Sequence, residues 1–302
     1  MSPTQKVIKY VAMAFAVGLI VTILSSILFV VTGISQSNRL FTRKTDYIDF
    51  TKEFNGVRSL DITNYSGKIY VQSSNVDQII VEAKNVPESL TAEITEDHTL
   101  LVEDRNHDNF IFSLWFLDSF DDEESKITIL IPRDILFESV EFDNGSGSME
   151  VSGIQTKSFY LDGGSGGIVI SDVISGAAEI SSGSGTLAMD NVSIENGNIN
   201  TGSGSVRITN GVFSDTEFDT GSGSFSFAGA LTGENSINSG SGAILMELKD
   251  SVDNYDLEID SGSGGVWING VKVDDENIQN NHAENGLSIE SGSGDITINF
   301  AK

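Results

Sequence analysis

The chain has 302 residues, a formal charge of -27 from 17 basic and 44 acidic side chains, and no cysteine. That balance argues against nucleic acid as a partner and repels other polyanions, while the missing thiol excludes disulfide frameworks, cysteine nucleophiles and cysteine-ligated metal. With 39% hydrophobic residues the chain can still bury a real core, which separates it from disordered acidic tails.

Residues 1–9 form a short head with Lys6 and Lys9, expected to be cytoplasmic. Residues 10–34 carry no charge. A helix of that length reaches about 37 Å, against about 30 Å of bilayer hydrocarbon, and the apolar run is longer than that of a cleavable signal peptide. The segment is read as an uncleaved, single-pass transmembrane signal anchor, with everything beyond it extracytoplasmic at the cell membrane. Residues 35–45 are a polar linker.

Residues 46–141 read as an irregular β region, with predicted strands at 57–63, 68–72, 78–83, 90–95, 99–102, 126–131 and 139–142 between turn residues. This region is expected to supply the first coils and an amino-terminal cap. Inside it, residues 109–120 are dense in apolar and aromatic side chains, among them Phe110, Phe112, Trp115 and Phe116, and lead into four consecutive acids. Two readings stay open: a flap over the first coil, or an exposed loop that touches the membrane interface or a partner.

From residue 142 to 302 one phrase returns, with central serines at Ser146, Ser165, Ser184, Ser203, Ser222, Ser241, Ser263 and Ser293, spaced 19, 19, 19, 19, 19, 22 and 30 apart. So strict a period means stacked coils. Large apolar residues stand four before each serine (Phe142, Leu161, Ile180, Ile199, Phe218, Ile237, Ile259, Ile289), and again three and five after it. The residue between the last two wanders from Glu150 to Arg207 to Trp267. Inward, outward, inward is strand alternation. Each coil is therefore a strand, a Gly-Ser-Gly corner and a second strand, and the coils stack at about 4.8 Å.

The corners proper are Ser146-Gly147, Ser165-Gly166, Ser184-Gly185, Ser203-Gly204, Ser222-Gly223, Ser241-Gly242, Ser263-Gly264 and Ser293-Gly294. Leu60 to Val71 fits the same frame, with its corner at Ser66-Gly67 and Tyr65 where the repeats carry glycine. From that difference the later glycine is expected to serve a positive φ, and the earlier one a lack of space. The two longer spacings are inserts, near 251–256 and 271–285. The second carries Asp274, Asp275, Glu276, His282 and Glu284, and reads as a solvated acidic loop or as a cation or partner site.

Gly163 to Gly167 formally spells Gly-x-Ser-x-Gly, yet a nucleophile elbow needs a helix where a strand is predicted. His98, His107 and His282 do not recur with the serines, so no Ser-His-Asp set is implied; the serines read instead as a hydroxyl ladder. A polar column three residues before each serine brings Asp143 beside Asp162, and Asp260 beside Glu290. These are the candidates for a calcium ion, although the Gly-Gly-x-Gly-x-Asp frame of calcium-binding repeats is absent. No other cofactor and no catalytic residue is indicated.

Leu60 to Val71, the strand from Lys126 to Pro132 and the iterated Ser-Gly corners together resemble a bacterial family of adhesin-like β-solenoid domains of unestablished role. Some of its members are membrane-anchored and encoded with Lia-type cell-envelope stress systems. The fold class expected is all-β, a single-stack β-solenoid (β-helix) of roughly 19-residue coils preceded by one transmembrane helix. The resemblance implies a non-catalytic protein that acts by binding, an adhesin or envelope-stress accessory protein, whose partners are the membrane and an envelope polymer or another membrane protein. The alternatives are a passive spacer or scaffold that self-associates through an open carboxyl-terminal coil near Ile296 to Phe300, and a polysaccharide-active β-helix enzyme.

Overall fold

A computed structural model describes residues 46–64, 67–105, 124–273, 277–279 and 282–301. The predicted anchor and linker, Tyr65 and Ser66, His107, the aromatic segment with Phe110, Phe112, Trp115 and Phe116, and the acids Asp274, Asp275 and Glu276 lie outside the described residues. Among those described, no helix is long and apolar enough to cross a membrane.

Before the repeats the chain runs through β1 (Tyr47–Phe54), β2 (Ser59–Asn64), β3 (Lys68–Ser74), β4 (Ile79–Pro87), β5 (Leu90–Ile94), β6 (Thr99–Asp104) and β7 (Lys126–Pro132). The first repeats give β8 (Leu136–Asn144), β9 (Ser148–Ser152), β10 (Gln155–Gly163), β11 (Ile168–Ser182) and β12 (Leu187–Thr201). Then come β13 (Val206–Ser214), β14 (Thr216–Thr220), β15 (Phe225–Thr232), β16 (Glu234–Ser239) and β17 (Ile244–Leu248). A short 3-10 turn, Val252–Asn254, leads into β18 (Tyr255–Ser261), β19 (Val266–Ile268), β20 (Val271–Val273), β21 (Asn277–Gln279), β22 (Asn285–Ser291) and β23 (Ile296–Phe300).

The coils pair in parallel and in register. Ile62, Phe142, Leu161, Ile180, Ile199 and Phe218 face one another through successive strands, as do Ile69, Met149, Ile168, Leu187, Val206 and Phe225. All twelve side chains are buried. Phenylalanines thicken the middle: Phe218 meets Phe213 and Phe225 edge-on, with centroids 5.4 and 5.2 Å away. The β-solenoid is thus built on the predicted columns, and its first coil, β2 and β3 around Gly67, stacks directly on β8 and β9.

A second corner lies within the longest strands. β11 and β12 run 15 residues each because the backbone turns within them. At the bend, seven residues after the central serine, Gly153, Asp172, Asn191 and Asn210 all take positive φ, between 52 and 71°. Glycine, Asn and Asp are the residues that accept this conformation. Asn191 Nδ2 donates to Asp172 Oδ1 at 2.6 Å, tying one bend to the next.

The order of stacking departs from the order of sequence at both ends. β22 lies between β16 and β18, and β23 between β17 and β19, so the last coil made is inserted between two that precede it. At the other end β2 and β3 are flanked by β6 and β7 on one side and β8 and β9 on the other. The outermost coils carry antiparallel strands: β5 on β6, β4 on β7 and β1 on β4, then β21 on β18 and β20 on β19.

These pairings correct two expectations. β23 is an interior strand, so the open edge foreseen near Ile296 to Phe300 does not exist. The long insert is not simply a solvated loop; its described part supplies β20 and β21. It also explains the order, because in sequence order the coil of β18 and β19 would sit inside the stack and leave β20 and β21 no free edge to pair with. β1 was not predicted. Only Ile48, Phe50 and Phe54 of its eight residues are half-buried, and its register is broken by an irregularity after Ile48.

Candidate functional site

Residues four and two before each central serine point inward, which turns the intervening residue out. In stacking order that outward row is Asp143, Asp162, Ser181, Asn200, Asp219, Asn238, Glu290 and Asp260. From Asp162 onward the row walls an open groove of about 1060 Å³, whose floor includes Gly164, Gly183, Gly202, Gly221, Gly240, Gly292 and Gly262. Seven rungs at the strand spacing extend about 29 Å. No Lys, Arg or His lines it. Asn238 Nδ2 donates to Asp219 Oδ1 at 2.8 Å, which ties two neighbouring rungs together, and Asn200 Nδ2 donates to Asn198 Oδ1 of its own strand at 2.7 Å. A second groove of about 650 Å³ includes Asp215, Glu217, Glu234, Asp256 and Glu258.

The floor is shallow because the corners touch. A Cβ on Gly183 or Gly202 would stand 2.7 Å from the preceding coil's glycine carbonyl oxygen, and one on Gly185, Gly204, Gly223 or Gly242 would overlap that oxygen outright. Among the later glycines only Gly67, at φ 93°, has the positive φ expected of all of them. At Gly147, Gly166, Gly185, Gly204, Gly223, Gly242, Gly264 and Gly294 the requirement is contact with the next backbone. Stacking in register aims each carbonyl at the Cα above it.

The central serines do not satisfy the corners through a hydroxyl ladder: Ser165, Ser184, Ser203, Ser222, Ser241, Ser263 and Ser293 are exposed, and the backbone N–H groups of the first six carry coil-to-coil bonds, as Ser203 N does to Gly183 O at 3.0 Å. At four corners the residue two positions earlier supplies the side chain instead, whereas the buried Ser182 Oγ and Thr201 Oγ1 have no hydrogen-bond partner among the described residues. Ser239, Ser261 and Ser291 donate from Oγ to the carbonyls of Gly242, Gly264 and Gly294 at 3.1, 2.9 and 3.1 Å, and Asn144 Nδ2 reaches Gly147 O at 2.6 Å. A buried row of Ser and Thr at an inward position was the signal, and it was overlooked. Ser165 leads into β11, a strand, so Gly163 to Gly167 does not form a strand-to-helix elbow.

Asp143 and Asp162 are register partners, as are Asp260 and Glu290. Each is a pair and no more: among the described residues no group of three or more His, Asp or Glu gathers for a metal. Burial, and then the Asp162 carboxylate, push the Asp143 carboxyl above its ordinary value, although part of the side chain reaches solvent. Burial raises Asp61 too, with Glu141, Glu103 and Asp143 adding to it.

A carboxyl with a raised folded-state value binds its proton more tightly in the folded than in the unfolded state. Its contribution to stability is therefore lost as pH rises through that raised value, and recovered below the ordinary 3.8. Asp143→Asn is expected to stabilise the protein at pH 7 by well under 1 kcal/mol, given solvent screening. The advantage should disappear at about pH 3, as thermal melts at the two pH values would show. An equal difference at both would contradict the assignment.

A stack of parallel coils with glycine-tight corners and one continuous polar groove defines a β-solenoid repeat protein. Residues 57–299 match the family described as Toastrack DUF4097, and the chain belongs to that family. No curated protein matches it. Among solved structures it is similar to a candidate lipid-binding protein from Parabacteroides distasonis, at 18% identity and a TM-score of 0.47 over 85% of this chain and 98% of that one. It is also similar to a candidate adhesin from Bacteroides fragilis, at 14% identity and a TM-score of 0.41 over 85% and 99%. A candidate cell adhesion protein from Clostridium sporogenes matches at 16% identity and a TM-score of 0.28, over 85% and 100%.

Proposed function

We propose that this chain is a single-pass membrane protein whose solenoid is displayed outside the cytoplasm and binds, without catalysis, an extended polymer of the cell envelope along the groove. The supporting observation is the groove itself. Seven rungs of carboxylate, hydroxyl and amide repeat at one spacing, which suits a chain-like ligand with a repeating pattern of donors and acceptors. Without a base, and with Asp162, Asp219, Glu290 and Asp260 along the wall, the groove disfavours anionic polymers and suits neutral ones. Adhesion, and the envelope-stress role that the family resemblance implies, are two uses of this same surface.

The test has two arms. Arg207 is exposed, on β13, and the chain has no native thiol, so Arg207→Cys should react with a membrane-impermeant maleimide on intact cells. In the second arm, Ser181→Lys with Asn200→Lys should weaken binding to purified cell-wall polymer by about tenfold. Ser226→Lys, in the outward row of Arg207, should leave it unchanged. Labelling only after permeabilisation, or equal binding by all variants, would overturn the proposal.

A further inference from the structure

The inserted coil shares one property only with the coil of β2 and β3. Every strand partner of β22 and β23 lies in the coil before or the coil after, and those two coils are consecutive in the sequence, joined by residues 249–254. The two walls of the slot therefore exist in the chain before the element that fills it. Their apolar columns match that element in register: Ile237, Ile289 and Ile259 on one side of the corner, Ile244, Ile296 and Val266 on the other.

The filling element is two strands around the Gly292-Ser293-Gly294 corner, and its far end meets the link that joins the walls, where Ala301 N donates to Leu248 O at 3.0 Å and to Asp250 O at 3.1 Å. It can enter sideways, corner outward, with nothing threaded. Specific bonds then hold it: Gly265 N to Asp295 Oδ1 at 2.9 Å, Phe300 N to Asn269 Oδ1 at 2.8 Å and Gly233 N to Asn285 Oδ1 at 3.0 Å. The connection that delivers it, residues 269–284, is committed elsewhere on the way, since its β20 and β21 pair with the outer edges of β19 and β18.

We propose that this slot accepts the Asn285–Phe300 coil of a second copy of the chain, so that two chains pair by exchanging their carboxyl-terminal coils. The same slot stands in every copy, and an exchanged coil makes the same hydrogen bonds and buries the same side chains. Only the path of the connection and the entropy of association differ. Two matched walls thus provide a self-recognition site that needs no exposed edge.

Ser236 on β16 and Ser288 on β22 are outward-facing register partners, within the span a disulfide bridges. A full-length chain carrying Ser236→Cys with Ser288→Cys should close a disulfide within itself under mild oxidation. Full-length Ser236→Cys and Ser288→Cys chains co-expressed in the same cells should give a dimer linked 236 to 288, identified by peptide mass. Its yield should rise with expression level and exceed the Ser236→Cys with Ser226→Cys pair by about fivefold or more, that pair reporting collision alone. Closure within the double variant without any such interchain product would overturn the exchange, and failure of the double variant to close would overturn the slot.

Discussion

Gly204→Ala is expected to lower stability by about 3 kcal/mol or more, a large effect for one methyl group. The added Cβ would overlap the carbonyl oxygen of Gly185. Backbone is all there is on the other side, so no side chain can swing away, and relief requires the coils to part. They cannot part locally, because Ser203 N and Ser222 N tie this corner to its neighbours at 3.0 and 3.1 Å. Gly167 is the comparison: a Cβ there meets nothing within 4 Å and its φ is not positive, so Gly167→Ala should change stability by no more than about 0.5 kcal/mol. Gly204→Asn separates the two possible causes. If left-handed backbone were the requirement, Asn would be better tolerated than Ala; a steric requirement makes it at least as damaging. Chemical denaturation of the three variants decides the matter.

Phe218→Ala should cost about 3–5 kcal/mol. The ring is 1% exposed and touches Phe213 of the preceding coil and Phe225 and Phe227 of its own, so its removal leaves a void that adjacent coils share. Stability in a stack of coils is close to a sum of neighbour interactions. Hydrogen exchange should therefore show the loss concentrated in β13 to β16, with β2 and β3 largely keeping their protection. Uniform loss along the chain would mean that the solenoid unfolds as one unit. Val212, 46% exposed in the same strand as Phe213, is the control, and Val212→Ala should be near neutral.

What the sequence disclosed follows from what a local period can carry. The columns Phe142 to Ile289 and Met149 to Ile296 were readable because inward positions recur at fixed offsets from each serine. The polar row three before each serine was readable as a column but not as a groove, and the pairing of Asp260 with Glu290 survived an insert of eleven residues because the frame is counted from the corner. The stacking order was not readable. Any coil fits on any other when all share the same three apolar positions, so order is decided by which edges β20, β21, β4 and β5 can cover. That is long-range information, absent from any one repeat. The reason for the later glycine is not legible for a related cause: Gly67, the one corner that lacks the earlier glycine, is also the one corner glycine with positive φ, so it does not stand for the rest.

Both ends of the stack are finished by coils placed out of turn, and this leaves the middle free. An in-frame duplication of 19 residues anywhere from β10 to β15 would lengthen the rod by about 4.8 Å and add one rung to the groove. Neither terminus would need a new cap. Evolution can therefore set the reach of such a protein as a ruler is set, by the number of interior divisions, while the two sealed ends are inherited unchanged.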